Sequence, residues 1–143
     1  MNNYNNDFYA WTQDQAKLMR DGNLSAIDIK NIAEEIESMG KQQVQTLTNR
    51  LAILLMHLLK WQYQKRFRGN SWKYTIAEQR KRIVKLLKNN PSLQSQINEI
   101  YTDAYEYATL KAAKETGISV EVFPKTCPYN FSNTLKEDFY PED

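Results

Sequence analysis

One cysteine, one histidine, four glycines and four prolines in 143 residues exclude a good deal. Cys127 has no second thiol to pair with, so no internal disulfide forms, which agrees with a reducing compartment. Scarce glycine and proline leave few tight turns for an all-β chain. No run reaches the roughly 18 apolar residues of a membrane span. The opening Met1-Asn2-Asn3-Tyr4-Asn5-Asn6-Asp7 has neither the basic nor the apolar stretch of a secretory leader. The expectation is a cytoplasmic protein without a membrane span. A Gly-rich phosphate loop, His-Glu-x-x-His, Cys-x-x-Cys and Gly-x-Ser-x-Gly are all missing. No cofactor or metal is expected, and enzyme is the weaker class, although distant helices can assemble a site that no motif announces.

What the chain has is helical spacing. At this length a single domain over residues 1–143 buries roughly 68–70% of its unfolded surface and needs no staples. Phe8, Trp11, Gln15 and Leu18 share a face of a first helix, with Asp7 at its positive end and Gly22 after it. Ser25 or Asp28 caps the next. From there Ile29, Ile32, Ile36, Met39, Gln43, Leu47, Leu51, Leu54, Leu58 and Trp61 keep phase, which argues for one long, central helix. It passes through Gly40 at about 1 kcal/mol relative to alanine, with a kink there as the main risk. Ser71 is the expected cap of a third helix whose stripe reads Trp72, Ile76, Gln79, Ile83, Leu86 and Leu87. Asn90 then caps a fourth helix with Pro91 at its first position and Gly117 as its stop, and Leu93, Ile97, Ile100, Tyr101, Ala104 and Ala108 turn inward. Beyond Ile118 the period fails. The prediction is an all-α, compact bundle of four main helices, with an irregular tail wrapping it and one short helical turn near 132–136.

Charge is uneven. From Lys60 to Lys88 there are ten Lys/Arg against one acid, Glu78, a local balance of +9 that leaves −7 for the rest of a chain of net +2. Trp61, Tyr63, Phe67, Trp72 and Tyr74 interleave there with Lys60, Lys65, Arg66, Arg68 and Lys73. Cations among aromatic faces can follow a phosphate backbone and stack unpaired bases. The plainer reading anchors the helix connection on Trp61 and Trp72 and leaves the cations solvated.

A second group is polar. Glu34, Glu37, His57, Lys60, Glu78, Gln79 and Arg80 could be gathered by a bundle, which is how carboxylate-bridged metal sites are built. Those sites use a Glu-x-x-His pair on each of two helices, and this chain has one histidine. The favoured expectation pairs a partly buried Glu37 with a cation such as Arg80 or Lys60 or hydrogen-bonds it to backbone as a loop cap, makes His57 a hydrogen-bonded core histidine, and gives Gln79 a backbone partner. Cys127, between Thr126 and Pro128, reads as a small packed side chain rather than a nucleophile.

The runs Asp7-Phe8-Tyr9-Ala10-Trp11, Ile32-Ala33-Glu34-Glu35-Ile36-Glu37-Ser38-Met39-Gly40 and His57-Leu58-Leu59-Lys60-Trp61-Gln62-Tyr63-Gln64 come in a fixed order. Ser71-Trp72, Thr75-Ile76, Glu78-Gln79-Arg80, Pro91-Ser92-Leu93, Glu115-Thr116-Gly117, Phe123-Pro124, Cys127-Pro128-Tyr129 and Asp138-Phe139 follow. Together they resemble the bacterial family catalogued as domain of unknown function 29, frequent in cyanobacteria, over essentially the whole chain. The resemblance implies a compact, mainly α-helical bacterial protein. The family has no established activity and no assigned catalytic residues, so no site residue is implied by it. Where relatives commonly carry proline after the Gln-Tyr-Gln run this chain has Lys65, so its connection to the third helix is expected to start later or be more helical.

The functional expectation is a helical module that acts by binding a protein partner or a second copy of itself. A nucleic-acid-binding accessory protein using residues 60–88 comes second, and a carboxylate- or metal-dependent enzyme third.

Overall fold

The computed structural model describes residues 3–142, and among them every regular element is helical. Helices α1 (Phe8–Arg20), α2 (Ile29–Tyr63), α3 (Asn70–Asn89), α4 (Ile97–Thr116) and α5 (Phe131–Thr134) are joined by short 3-10 segments. The long second helix predicted from spacing is therefore real, and it continues through Gly40. The chain divides into two compact units, one ending at Gln42 and the other beginning at Gln43.

The first unit is organised by Asp28. Asp7 caps α1 by accepting from the Ala10 amide at 3.0 Å, and Gly22, at φ +74°, lets the chain leave in the left-handed conformation. Asp28 then caps α2 by accepting from the Asn31 amide, while its other oxygen receives the Asn31 side chain at 2.8 Å and the Trp11 indole at 3.0 Å. Its own amide donates to Gln15 at 2.7 Å. Tyr4 packs edge-on against Phe8 and Trp11 and donates its hydroxyl to Glu35. Among the described residues of this unit only Trp11 and Gln15 are buried, and Phe8, on the face predicted to hold them, lies half exposed.

The second unit holds the core. Leu47, Leu51, Leu54, Leu55, Leu58 and Leu59 on α2 have no exposed surface, and Ile76 and Ile83 on α3 and Ala104 and Ala108 on α4 close over them. Burial of the α2 stripe thus begins at Leu47, although its spacing runs unbroken from Ile29.

Two expected caps are corrected. Ser71 lies inside α3, which already begins at Asn70, and its carbonyl accepts from the Thr75 hydroxyl. A 3-10 turn over Lys65–Phe67 delivers the chain to α3 already coiled, which agrees with a more helical connection at Lys65. Asn90 does not cap α4: its side-chain amide turns back to the Leu86 carbonyl at 2.9 Å. A 3-10 segment over Pro91–Gln96 follows, and α4 starts at Ile97. Gly117 ends α4 as predicted, at φ +76°, with its amide on Ala113.

The tail is held to this unit by side chains reaching its backbone. Tyr105 donates to the Pro124 carbonyl at 2.6 Å and Tyr101 to the Tyr129 carbonyl at 2.8 Å. Phe123, Tyr129 and Thr134 are buried as a result.

Candidate functional site

Arg80 gathers the tail. It sits on the buried face of α3, 3% exposed, and among the described residues its guanidinium forms no ion pair with a carboxylate. Nε donates to the Thr134 carbonyl at 2.8 Å, Nη1 to Glu137 at 3.1 Å and Nη2 to Phe139 at 2.6 Å, with the Tyr140 ring 5.5 Å away. Burial lowers its pKa from the ordinary arginine value, and the charges of Tyr140, Asp138 and Glu137 act in the opposite direction. Three neutral acceptors can hold a buried guanidinium because its planar fork presents donors in fixed directions.

The other members of the predicted polar cluster are spread. Lys60 pairs with Glu115 at 3.0 Å and lies 4.8 Å from the Trp72 ring. Glu78 pairs with Arg82 one turn along α3. Gln79 is buried, and its oxygen accepts from Arg50 at 3.4 Å, a side-chain partner where a backbone one was expected. His57 Nδ1 donates to the Ile53 carbonyl at 2.8 Å, and burial lowers its pKa, so the ring is neutral. Glu34 and Glu37 are exposed on α2, so Glu37 is not the partly buried carboxylate expected. Among the described residues no three His, Cys, Asp or Glu side chains approach closely enough to hold a metal ion.

The predicted basic aromatic surface is largely engaged in internal contacts. Arg68 donates Nε to the Trp61 carbonyl at 2.6 Å and stacks 5.1 Å from its ring, with Lys73 5.9 Å from the same ring. Trp61 also packs on Tyr140, and Tyr63 meets Phe123 edge-on. Phe67 remains exposed with Arg66 beside it, and Lys65 shares its 3-10 turn.

A hydroxyl and thiol cluster went unnoticed in the sequence. The Tyr101 hydroxyl bonds Thr134, Cys127 Sγ lies 3.4 Å from it, and the Tyr129 hydroxyl donates to Gln62 at 2.6 Å. Burial raises the pKa of Tyr101, Tyr129 and Cys127, so all three stay protonated and structural. Their apolar neighbours disguised them as ordinary core positions.

The apolar spacing of α2 continues into its start, where the structure leaves it on the surface. Ile29, Ile36 and Met39 are 67%, 62% and 63% exposed, on one stripe. Contiguous exposed apolar patches of large area mark interaction surfaces.

The family model described as domain of unknown function DUF29 matches residues 3–140. No curated protein and no solved structure matches the chain. Among the described residues no helix is long and apolar enough to cross a membrane.

Proposed function

We propose that this chain, which belongs to the DUF29 family, is a self-associating binding module whose docking element is the first half of α2. The observation that carries the reading is the exposed stripe itself. Ile29, Ile32, Ile36 and Met39 follow one another at three, four and three residues, the spacing of a coiled-coil seam, and Ile32 is half-buried beside its exposed neighbours. The unit that carries them is small and buries only Trp11 and Gln15 among its described residues. Units of about 40 residues usually require oligomerisation, a metal or disulfides to persist. With one cysteine in the whole chain and no metal cluster among the described residues, a second copy of the same stripe is the cover the chemistry favours.

Light scattering on a sizing column, run over a dilution series, tests this. The expected result is a dimer that dissociates on dilution and is lost in Ile36→Glu, with the melting transition of the second unit unchanged. A species of monomer mass at every concentration contradicts self-association. An oligomer insensitive to Ile36→Glu removes the stripe from the interface.

A further inference from the structure

A second uncovered feature lies wholly within the other unit. Between α3 and the tail runs a groove of about 670 Å³. Its floor is Ala77 and Val84 on α3 and Leu135 on the tail; Val84 is 51% exposed. Along its rim stand Lys81, Lys85 and Lys88, spaced so that all three project from one side of the helix. Among the described residues none of the three forms an ion pair, and Glu137 is the one acid lining the groove.

Three features select the occupant. The floor carries no aromatic ring, so it offers nothing for a nucleobase to stack on. The tail wall has its Thr134, Glu137 and Phe139 carbonyls taken by Arg80, so a peptide adding as a strand would find those acceptors occupied. The lining from Ala77 to Lys88 spans about 16 Å at the helical rise, enough for about three turns of a partner helix. We propose that this groove docks an acidic amphipathic helix from another protein, its apolar side chains on Val84 and Leu135 and its carboxylates on Lys81, Lys85 and Lys88. The site is independent of the α2 stripe.

The probe is a fluorescein-labelled synthetic helix built of alternating leucine pairs and glutamate pairs, followed by fluorescence anisotropy on the full chain. Its counterpart has lysine in place of every glutamate. The acidic helix should bind, and either Val84→Glu or the Lys81→Glu/Lys85→Glu pair should weaken it by about tenfold or more, since both alter charge facing the ligand. All three substituted positions are exposed, and circular dichroism should show an unchanged fold. The lysine helix should prefer the doubly reversed variant to the parent, a result that lost folding cannot produce. Ile36→Glu should leave the groove's affinity as it is, so failure of self-association and failure of this site are told apart. Equal binding of the acidic and lysine helices overturns the proposal, as does acidic-helix binding indifferent to Val84→Glu. Displacement of the acidic helix by oligothymidine or oleate that itself binds more tightly, and is lost in Val84→Glu, overturns it in favour of a nucleic-acid or lipid site.

Discussion

Arg80 Nε donates to the carbonyl of Thr134 across 54 positions of sequence, and this bond, with those to Glu137 and Phe139, fixes the tail against α3. An irregular segment would otherwise leave backbone acceptors facing an apolar surface, where each unpaired group costs about 1–3 kcal/mol.

Arg80→Lys should therefore destabilise the protein by about 2–3 kcal/mol, because an ammonium cannot reach three carbonyls in one plane. Urea unfolding gives the loss, and hydrogen exchange should show it concentrated in residues 134–139. A variant as stable as the parent would mean that the tail holds without the clamp.

Leu54 has no exposed surface at the centre of the second unit. Leu54→Ala should cost about 2–5 kcal/mol through lost transfer energy and a residual cavity. An unchanged denaturation midpoint would contradict the core described above.

His57 supplies a pH dependence. Its folded pKa is depressed, chiefly by burial, so between the folded value and the unfolded value of about 6.5 the unfolded chain binds more protons. Stability is then fully present above the unfolded pKa and declines as pH falls through that window. Urea midpoints measured from pH 7.5 down to 5, values chosen to bracket the histidine range, should drop more for the parent than for His57→Gln. Parallel curves would show that the ring is not carrying the effect.

The basic segment should bind single-stranded nucleic acid weakly. With Trp61 and Arg68 engaged with each other and Tyr63 against Phe123, few groups remain to stack bases. A log-log salt slope of about −0.7 per neutralised phosphate would report any contacts made, and binding should vanish near physiological salt. Arg66→Ala should change little. Tight, salt-resistant binding lost in that variant would promote the nucleic-acid reading.

How much could be read from the chain follows from how local each signal is. Helix spacing is local, so α2 from Ile29 to Tyr63 and the inward faces of α3 and α4 were legible. Burial depends on what else the fold brings over a stripe. Ile29, Ile36 and Met39 therefore read like Leu51 and Leu54 in sequence yet end on the surface. Arg80 was singled out, but as a partner for a carboxylate. Its actual partners are backbone carbonyls, which every residue possesses and no side-chain pattern reveals. Ser71 and Asn90 had capping chemistry, and the neighbouring 3-10 turns moved the helix starts away from them.

The proposed dimer joins two copies of the chain through the exposed stripe at the start of α2. Sedimentation equilibrium on the parent, Met39→Leu and Met39→Glu separates association from folding, since a substitution at an exposed position such as this should alter folding stability by only about 0.5 kcal/mol. The parent and Met39→Leu should form a reversible dimer, and Met39→Glu should be a monomer. A parent that stays monomeric at the highest concentration, or a Met39→Glu variant that dimerises as well as the parent, would contradict it.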